Sequence, residues 1–175
     1  MRRRRAEHEE PPMIIRDAEA SDLSAIQQIY AHHVLHGTGS FEEAPPQLKE
    51  ITARFELVKA RNLPWIVAEI DGGIAGYSYA NLYRERSAYR FTLENAVYIA
   101  PERVRSGVGR ALLGDVLARA AAGGYREMIA VIGDNENHGS IGLHRAMGFR
   151  HIGTLEKVGF KFGRWLDSVI MQKNL

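Results

Sequence analysis

The hydrophobic patterning predicts a mixed α/β domain in which a hairpin meander precedes alternating strands and helices. Three observations predict it. Apolar residues recur with helical period in four stretches, short β-branched or alternating runs mark six to seven strands, and Asp71-Gly72-Gly73 joins two of those runs as a hairpin. With 175 residues and 45% apolar content the chain suits one core.

The opening MRRRRAEHEEPP carries four arginines and three glutamates. Segment 1–12 therefore reads as a disordered leader ahead of a single domain at 13–175, with Met13 as an alternative start. The remaining chain has 19 basic and 18 acidic residues, so its pI near 9.0 does not describe a basic face. A nucleic-acid role would rest on Arg2 to Arg5 alone. No apolar run reaches the roughly 18 residues that span a bilayer, and the leader lacks the apolar stretch of a secretory signal. A soluble cytoplasmic protein with no membrane partner is expected. The absence of cysteine excludes a cysteine acyl-enzyme and thiolate metal sites.

In chain order, 13–17 reads as an edge strand. A helix follows with Leu23, Ile26, Ile29, Tyr30 and Val34 on one face. His32, His33 and His36 lie at its end, where they complement the helix dipole; two of them are one turn apart, but no third metal ligand is suggested. A loop carrying Phe41 leads to a helix marked by Leu48, Ile51, Phe55 and Val58. The hairpin strands are 65–70 and 74–81, and the arginine- and tyrosine-rich stretch 82–91 reads as a loop or a short crossing element. The chain's central stretch, 94–120, is a strand broken at Pro101, a basic glycine turn and a helix with Val108, Leu112, Leu113, Val116 and Leu117 inward. Gly123-Gly124 ends that helix. Then come a strand at 128–132, a helix at about 140–147, and strands at 150–158 and 167–172 joined through 161–165.

The turn Arg105-Ser106-Gly107-Val108-Gly109-Arg110 reads either as a plain helix-start turn or as an anion cradle, the latter because glycines admit close backbone approach and the first N–H groups of a helix are free to meet phosphate oxygens. It is not a dinucleotide fingerprint, since Leu112 stands where the third glycine belongs, and the chain contains no P-loop. What remains is a short pyrophosphate loop. It resembles the signature [QR]-x-x-G-x-[GA] of the GNAT superfamily of acetyl-CoA-dependent N-acetyltransferases. The first position of that signature is here Val104, between Arg103 and Arg105, which leaves the backbone to form the cradle. A second motif, Asn137-x-x-Ser140-x-x-Leu143-His144-x-x-x-Gly148-Phe149, is similar to the one by which the family holds the pantetheine and pyrophosphate side of its co-substrate. Further stretches, among them Glu94-Asn95-Ala96-Val97-Tyr98-Ile99 and Gly159-Phe160-Lys161-Phe162-Gly163-Arg164-Trp165-Leu166-Asp167, resemble the phosphinothricin and methionine sulfoximine N-acetyltransferases within it.

The resemblance implies a mostly antiparallel mixed sheet of six to seven strands with about four helices, acetyl-CoA as co-substrate and a homodimer, and the transfer chemistry calls for no metal. It implies Glu94 as the general base that an ammonium-forming acceptor requires at neutral pH. Backbone groups of Val97, Tyr98 and Ile99 would pair with pantetheine as a pseudo-strand. Strand alternation sets Glu94, Ala96 and Tyr98 on one face and Asn95, Val97 and Ile99 on the other. His144 stands where many relatives have a tyrosine that acts on the leaving thiolate; packing inside its helix is the alternative. Phe41, Arg84, Arg86 and Tyr89, with Asn95 and Ala96, are the expected acceptor walls, because arginine forks suit carboxylate or phosphinate groups. The acceptor is expected to be a small amino acid of glutamate-like shape. A protein or peptide amine ranks second, and a nucleic-acid-binding module using the leader third.

Overall fold

The computed structural model describes residues 12–175, so the reading of the leader falls outside the described residues except for Pro12. Seven strands form one sheet: β1 (Ile14–Asp17), β2 (Trp65–Ile70), β3 (Gly73–Leu82), β4 (Thr92–Ile99), β5 (Glu127–Gly133), β6 (Arg150–Lys161) and β7 (Arg164–Asn174). Their spatial order is β1-β2-β3-β4-β5-β7-β6, and every ladder is antiparallel except β4 with β5. Four α-helices cover it: α1 (Leu23–His36), α2 (Leu48–Ala60), α3 (Val108–Ala122) and α4 (His138–Ala146).

The helices bury the faces that their periodicity marks. In α1 these are Leu23, Ile26, Ile29, Tyr30 and Val34, and in α3 Val108, Leu112, Leu113, Val116 and Leu117. Full burial of each large aliphatic side chain is worth about 1.5–3 kcal/mol. In α2 only Ile51, Phe55 and Val58 are buried; Leu48, the first helical residue, stays exposed. Under β2, β3 and β4 the rings of Trp65, Tyr79, Tyr77 and Tyr98 form a ladder, with centroids 4.2 Å apart for Trp65–Tyr79 and 5.4 Å for Tyr77–Tyr98. The register explains it, since Trp65 faces Tyr79 and Tyr77 faces Tyr98 across neighbouring strands.

The last hairpin differs from expectation. The stretch 161–165 is not a connector: β6 runs to Lys161, β7 starts at Arg164, and the turn is only Phe162-Gly163. Both turn residues have positive φ, 52° and 73°, the pattern of a two-residue hairpin turn whose twist matches its strands.

The sheet divides between β4 and β5. These strands pair only at Thr92–Glu127, Leu93–Met128 and Glu94–Ile129, after which β4 follows β3 to Ile99 and β5 follows β7 to Gly133. At the branch point the Asn95 side chain replaces the next ladder bond, its Nδ2 donating to the Ile129 carbonyl at 3.2 Å. Among the described residues no helix is long and apolar enough to cross a membrane, and no cluster of three or more His, Cys, Asp or Glu could hold a metal ion.

Candidate active site

A cavity of about 710 Å³ fills the fork. Its walls are the diverging strands from Glu94 to Ile99 and Ala130 to Ile132, the start of α3, the start of α4, and Gly37-Thr38-Gly39 after α1. The cavity passes between the strands and so meets both faces of the sheet. Tyr98 packs on Tyr30 and His33 of α1, whereas Ile99 lies beside Gly109 of α3 and Asn95 bonds His144 of α4. The β3–β4 register is unbroken, so strand alternation places Glu94 and Ala96 with Tyr98 on the α1 face. The glycine cradle belongs to the opposite face.

Backbone direction decides which peptide groups are free. The Ala100 N–H donates to Ala75 of the β3 side at 2.9 Å, and the Thr92 carbonyl accepts from Tyr83. Even-numbered residues of β4 therefore turn their peptide groups to β3, and Asn95, Val97 and Ile99 turn theirs into the fork. Tyr98 is thus not available as a backbone partner, contrary to the sequence expectation; it lines the cavity through its ring. The Ile99 carbonyl is already taken by His33, whose Nε2–H donates at 2.8 Å. Val97 and the Ile99 N–H remain for an extended amide chain. The sequence offers no local signal for His33, since the bond joins residues 66 apart.

At the cradle, Gly107 caps α3 with φ of 82° and Arg105 has φ of 66°. This winding leaves the N–H groups at the start of α3 without intrahelical acceptors and aimed outward. Arg103, Val104, Arg105, Gly107, Gly109 and Arg110 line the cavity; Val108 is instead buried in the core, and the Ser106 hydroxyl is spent on the Arg103 carbonyl. Asn137 caps α4, its Oδ1 accepting from Ser140 N at 3.2 Å, and both residues line the cavity. The exposed Val131 adds apolar surface suited to a carbon chain.

Glu94 is half-buried at the point where the fork closes. Burial pushes its carboxyl pKa up, and the charge of Arg84 opposes that shift. Beside it Tyr79 is a phenol whose pKa burial raises to about 12, so it stays protonated at neutral pH. His144 is 2% exposed. Its Nδ1 lies 2.8 Å from the Ser140 carbonyl and its Nε2 3.0 Å from Asn95 Oδ1. A carbonyl only accepts, so Nδ1 carries a proton; Nε2 donates to Asn95 only in the imidazolium form, which burial disfavours.

The expected acceptor walls are not brought together here. Ala96 lines the cavity, and so does Asn95, although its amide is committed to Ile129 and His144. Arg84, Arg86 and Tyr89 are exposed on the segment between β3 and β4 and do not line this cavity. Arg84 lies over the Tyr83 ring at 4.6 Å, a contact that competes with reaching inward. Phe41 also lies outside the lining, seated over Gly133 and Gly159.

A forked sheet with a free helix start on one side and a carboxylate at the closed end makes a site for a slender chain that carries amides and an anionic end. Residues 15–170 match the family model for the acetyltransferase (GNAT) domain. The chain is 54% identical to a phosphinothricin N-acetyltransferase of Alcaligenes faecalis, over 93% of this chain and 81% of that protein. It is 35% identical to an L-methionine sulfoximine/L-methionine sulfone acetyltransferase of Salmonella typhimurium, over 93% and 95%. The crystal structure of a phosphinothricin acetyltransferase from Sinorhizobium meliloti in complex with AcCoA superposes with a TM-score of 0.91 at 43% identity, covering 93% of this chain and 88% of that one. The chain belongs to the GNAT acetyltransferase family. It is an N-acetyltransferase whose co-substrate is acetyl-CoA.

Proposed function

We propose that the chain acetylates the α-amine of a small glutamate-like acceptor, of the phosphinothricin or methionine sulfoximine kind, by direct attack with Glu94 as general base. The observation that carries this reading is the Glu94 carboxylate itself. It lines the cavity at the fork's closed end, and burial makes it more basic than an ordinary glutamate. The names of the relatives support the acceptor class.

In this reading the α3 N–H groups with Arg105 and Arg110 hold the pyrophosphate, and Asn137 and Ser140 hold the neighbouring arm. Val97 and the Ile99 N–H pair with the pantetheine amides, and an N–H of that edge steadies the developing oxyanion. Glu94 takes a proton from the acceptor ammonium and so frees the amine lone pair to attack, and the proton that the nitrogen sheds on acylation goes to the departing thiolate. His144, expected as the acid, instead has both ring nitrogens directed at Ser140 and Asn95, which fits the packing alternative. Arg84 attracts the acceptor's anionic end from outside the cavity. A thiol-release screen with acetyl-CoA against amino acids, glutamate analogues, polyamines and peptides tests the reading. Turnover confined to glutamate analogues supports it, and turnover confined to peptides overturns it.

The pH dependence has a definite sign. A raised carboxyl pKa means that the base form is lost as pH falls through that raised value, so the acid limb of kcat/KM should lie above the roughly 4.3 of a free glutamate. Arg84→Ala removes the charge that holds the pKa down. The acid limb should then move to higher pH, and KM for an anionic acceptor should rise. A limb unmoved in the variant would separate Arg84 from Glu94.

The homodimer belongs to this proposal. On the β6–β7 hairpin Val158, Phe160 and Trp165 are exposed, the last by 62%, with the Phe160 and Trp165 rings 5.0 Å apart. Such an apolar face on an outer hairpin favours self-association. Sedimentation should give a dimer for the wild type and a monomer for Trp165→Lys; a monomeric wild type removes the dimer from the proposal.

A further inference from the structure

Lys161 is buried to 2% exposure near the end of β6, and among the described residues it makes no ion pair. Only the more distant charges of Glu42 and Glu43 and the Phe162 ring, 4.9 Å from Nζ, offset the cost of its burial, and an apolar side chain of the same length would fill the space without that cost. Its donors therefore need an account. Nζ donates to the Gly37 carbonyl at 2.9 Å and to the Ser40 carbonyl at 2.8 Å, residues more than 120 positions away in the chain. These two carbonyls bracket Thr38 and Gly39, which line the cavity.

Other contacts converge on the same turn. Thr38 Oγ1 donates to Asp134 Oδ2 at 2.9 Å, and Asp134 is held in turn by Arg164 at 2.8 Å. A Cβ on Gly133 would stand 2.3 Å from the Thr38 carbonyl, so the turn lies directly on the end of β5. A Cβ on Gly159 would stand 2.4 Å from the Phe41 ring, so that glycine is the seat of the ring. The turn follows α1, which packs on the Glu94 face of the sheet, and it meets the start of α4 at one point, where a Cβ on Gly39 would stand 3.5 Å from Asn137 Nδ2.

We propose that Lys161 is a positioning residue that clasps the turn 37–41 onto the fork and so shapes the acceptor side of the cavity, leaving the co-substrate side to the cradle. Phe41 then acts on acceptor choice indirectly, as the pin that seats this turn. The proposal rests on the acetyl-transfer reading for its kinetic consequence but not for the clasp itself.

The test uses the full chain with Lys161→Met, which keeps length and apolar bulk and removes the donors, and with Gly159→Ala, which unseats Phe41 and leaves Lys161 intact. Both should raise the acceptor KM by about fivefold or more, the scale of one to two lost hydrogen bonds. Kd for acetyl-CoA should change by less than the acceptor KM in each, because the turn meets the co-substrate side only at Asn137 and leaves the start of α3 untouched. Amide hydrogen exchange at 38–41 should quicken in both. Unchanged acceptor KM with unchanged exchange overturns the proposal, and so does an equal weakening of acetyl-CoA binding, which marks a general structural role. If Lys161→Met does not fold, Gly159→Ala decides by the same criteria. If the wild type acetylates no amine, the functional reading fails, and hydrogen exchange alone still decides the clasp.

Discussion

Glu94→Gln is expected to lower kcat by on the order of 10²-fold or more, the range for loss of a positioned general base. The replacement has nearly the same shape, and the carboxylate makes contact with Arg84 through charge alone, so folding and acetyl-CoA affinity should hold. The variant should recover part of its rate at high pH, where the amine sheds its proton to solvent. Steady-state kinetics from pH 7 upward, with calorimetric titration of acetyl-CoA, read both quantities. Wild-type turnover at pH 7 in the variant would assign the base to another group and leave the Glu94 pKa without a mechanistic use.

Gly109→Val carries the second large effect. A Cβ at Gly109 would already lie 3.2 Å from Leu143 Cδ2 and 3.7 Å from Ile99 Cδ1, and valine adds two methyl groups beyond it. Glycine is needed here for the seating of α3 against α4 and β4 as much as for approach of a phosphate. Displacing the helix start moves the whole N–H cradle, so Kd for acetyl-CoA should rise at least about tenfold, roughly 1.4 kcal/mol. Overpacking should lower stability by about 1–3 kcal/mol. Gly107→Ala is the control with a different cause: space there is open, but φ of 82° costs a Cβ-bearing residue about 1–2 kcal/mol. Thermal melts and calorimetry separate the two, and unchanged affinity in folded Gly109→Val would dissociate the cradle from acetyl-CoA binding.

The helix faces, the Asp71-Gly72 hairpin and the glycine turn that starts α3 were legible because each is written in residues close together in the chain. Asp-Gly announces its turn, and Phe162-Gly163 adopts the same positive dihedrals without announcing it, which hid the strand character of Lys161 and Arg164. The bonds of His33 to Ile99, Asn95 to His144 and Lys161 to Gly37 span 66, 49 and 124 positions. No periodicity records such pairings. Tyr98 illustrates a subtler limit: alternation gave its side-chain face correctly, but the direction of its peptide group depends on which neighbour the strand pairs with. Arg84, Arg86 and Tyr89 had the right chemistry for an anion, and their exposure came from a loop whose path the sequence does not fix.

The splitting of β4 from β5 also bears on aggregation. Unpaired strand edges are templates for any extended polypeptide, and proteins usually shield them at the rim of a sheet. Here two such edges lie in the middle. An intruding strand would need about 4.8 Å to each neighbour along its whole length, a parallel-sided slot of twice that width. The gap instead tapers to direct pairing at Glu94–Ile129, so a peptide strand cannot advance into it. A slender arm with amides at its outer end and a small group at its tip can. The taper is thus a sieve on chain thickness, which lets the sheet keep open edges in its interior without inviting self-assembly there.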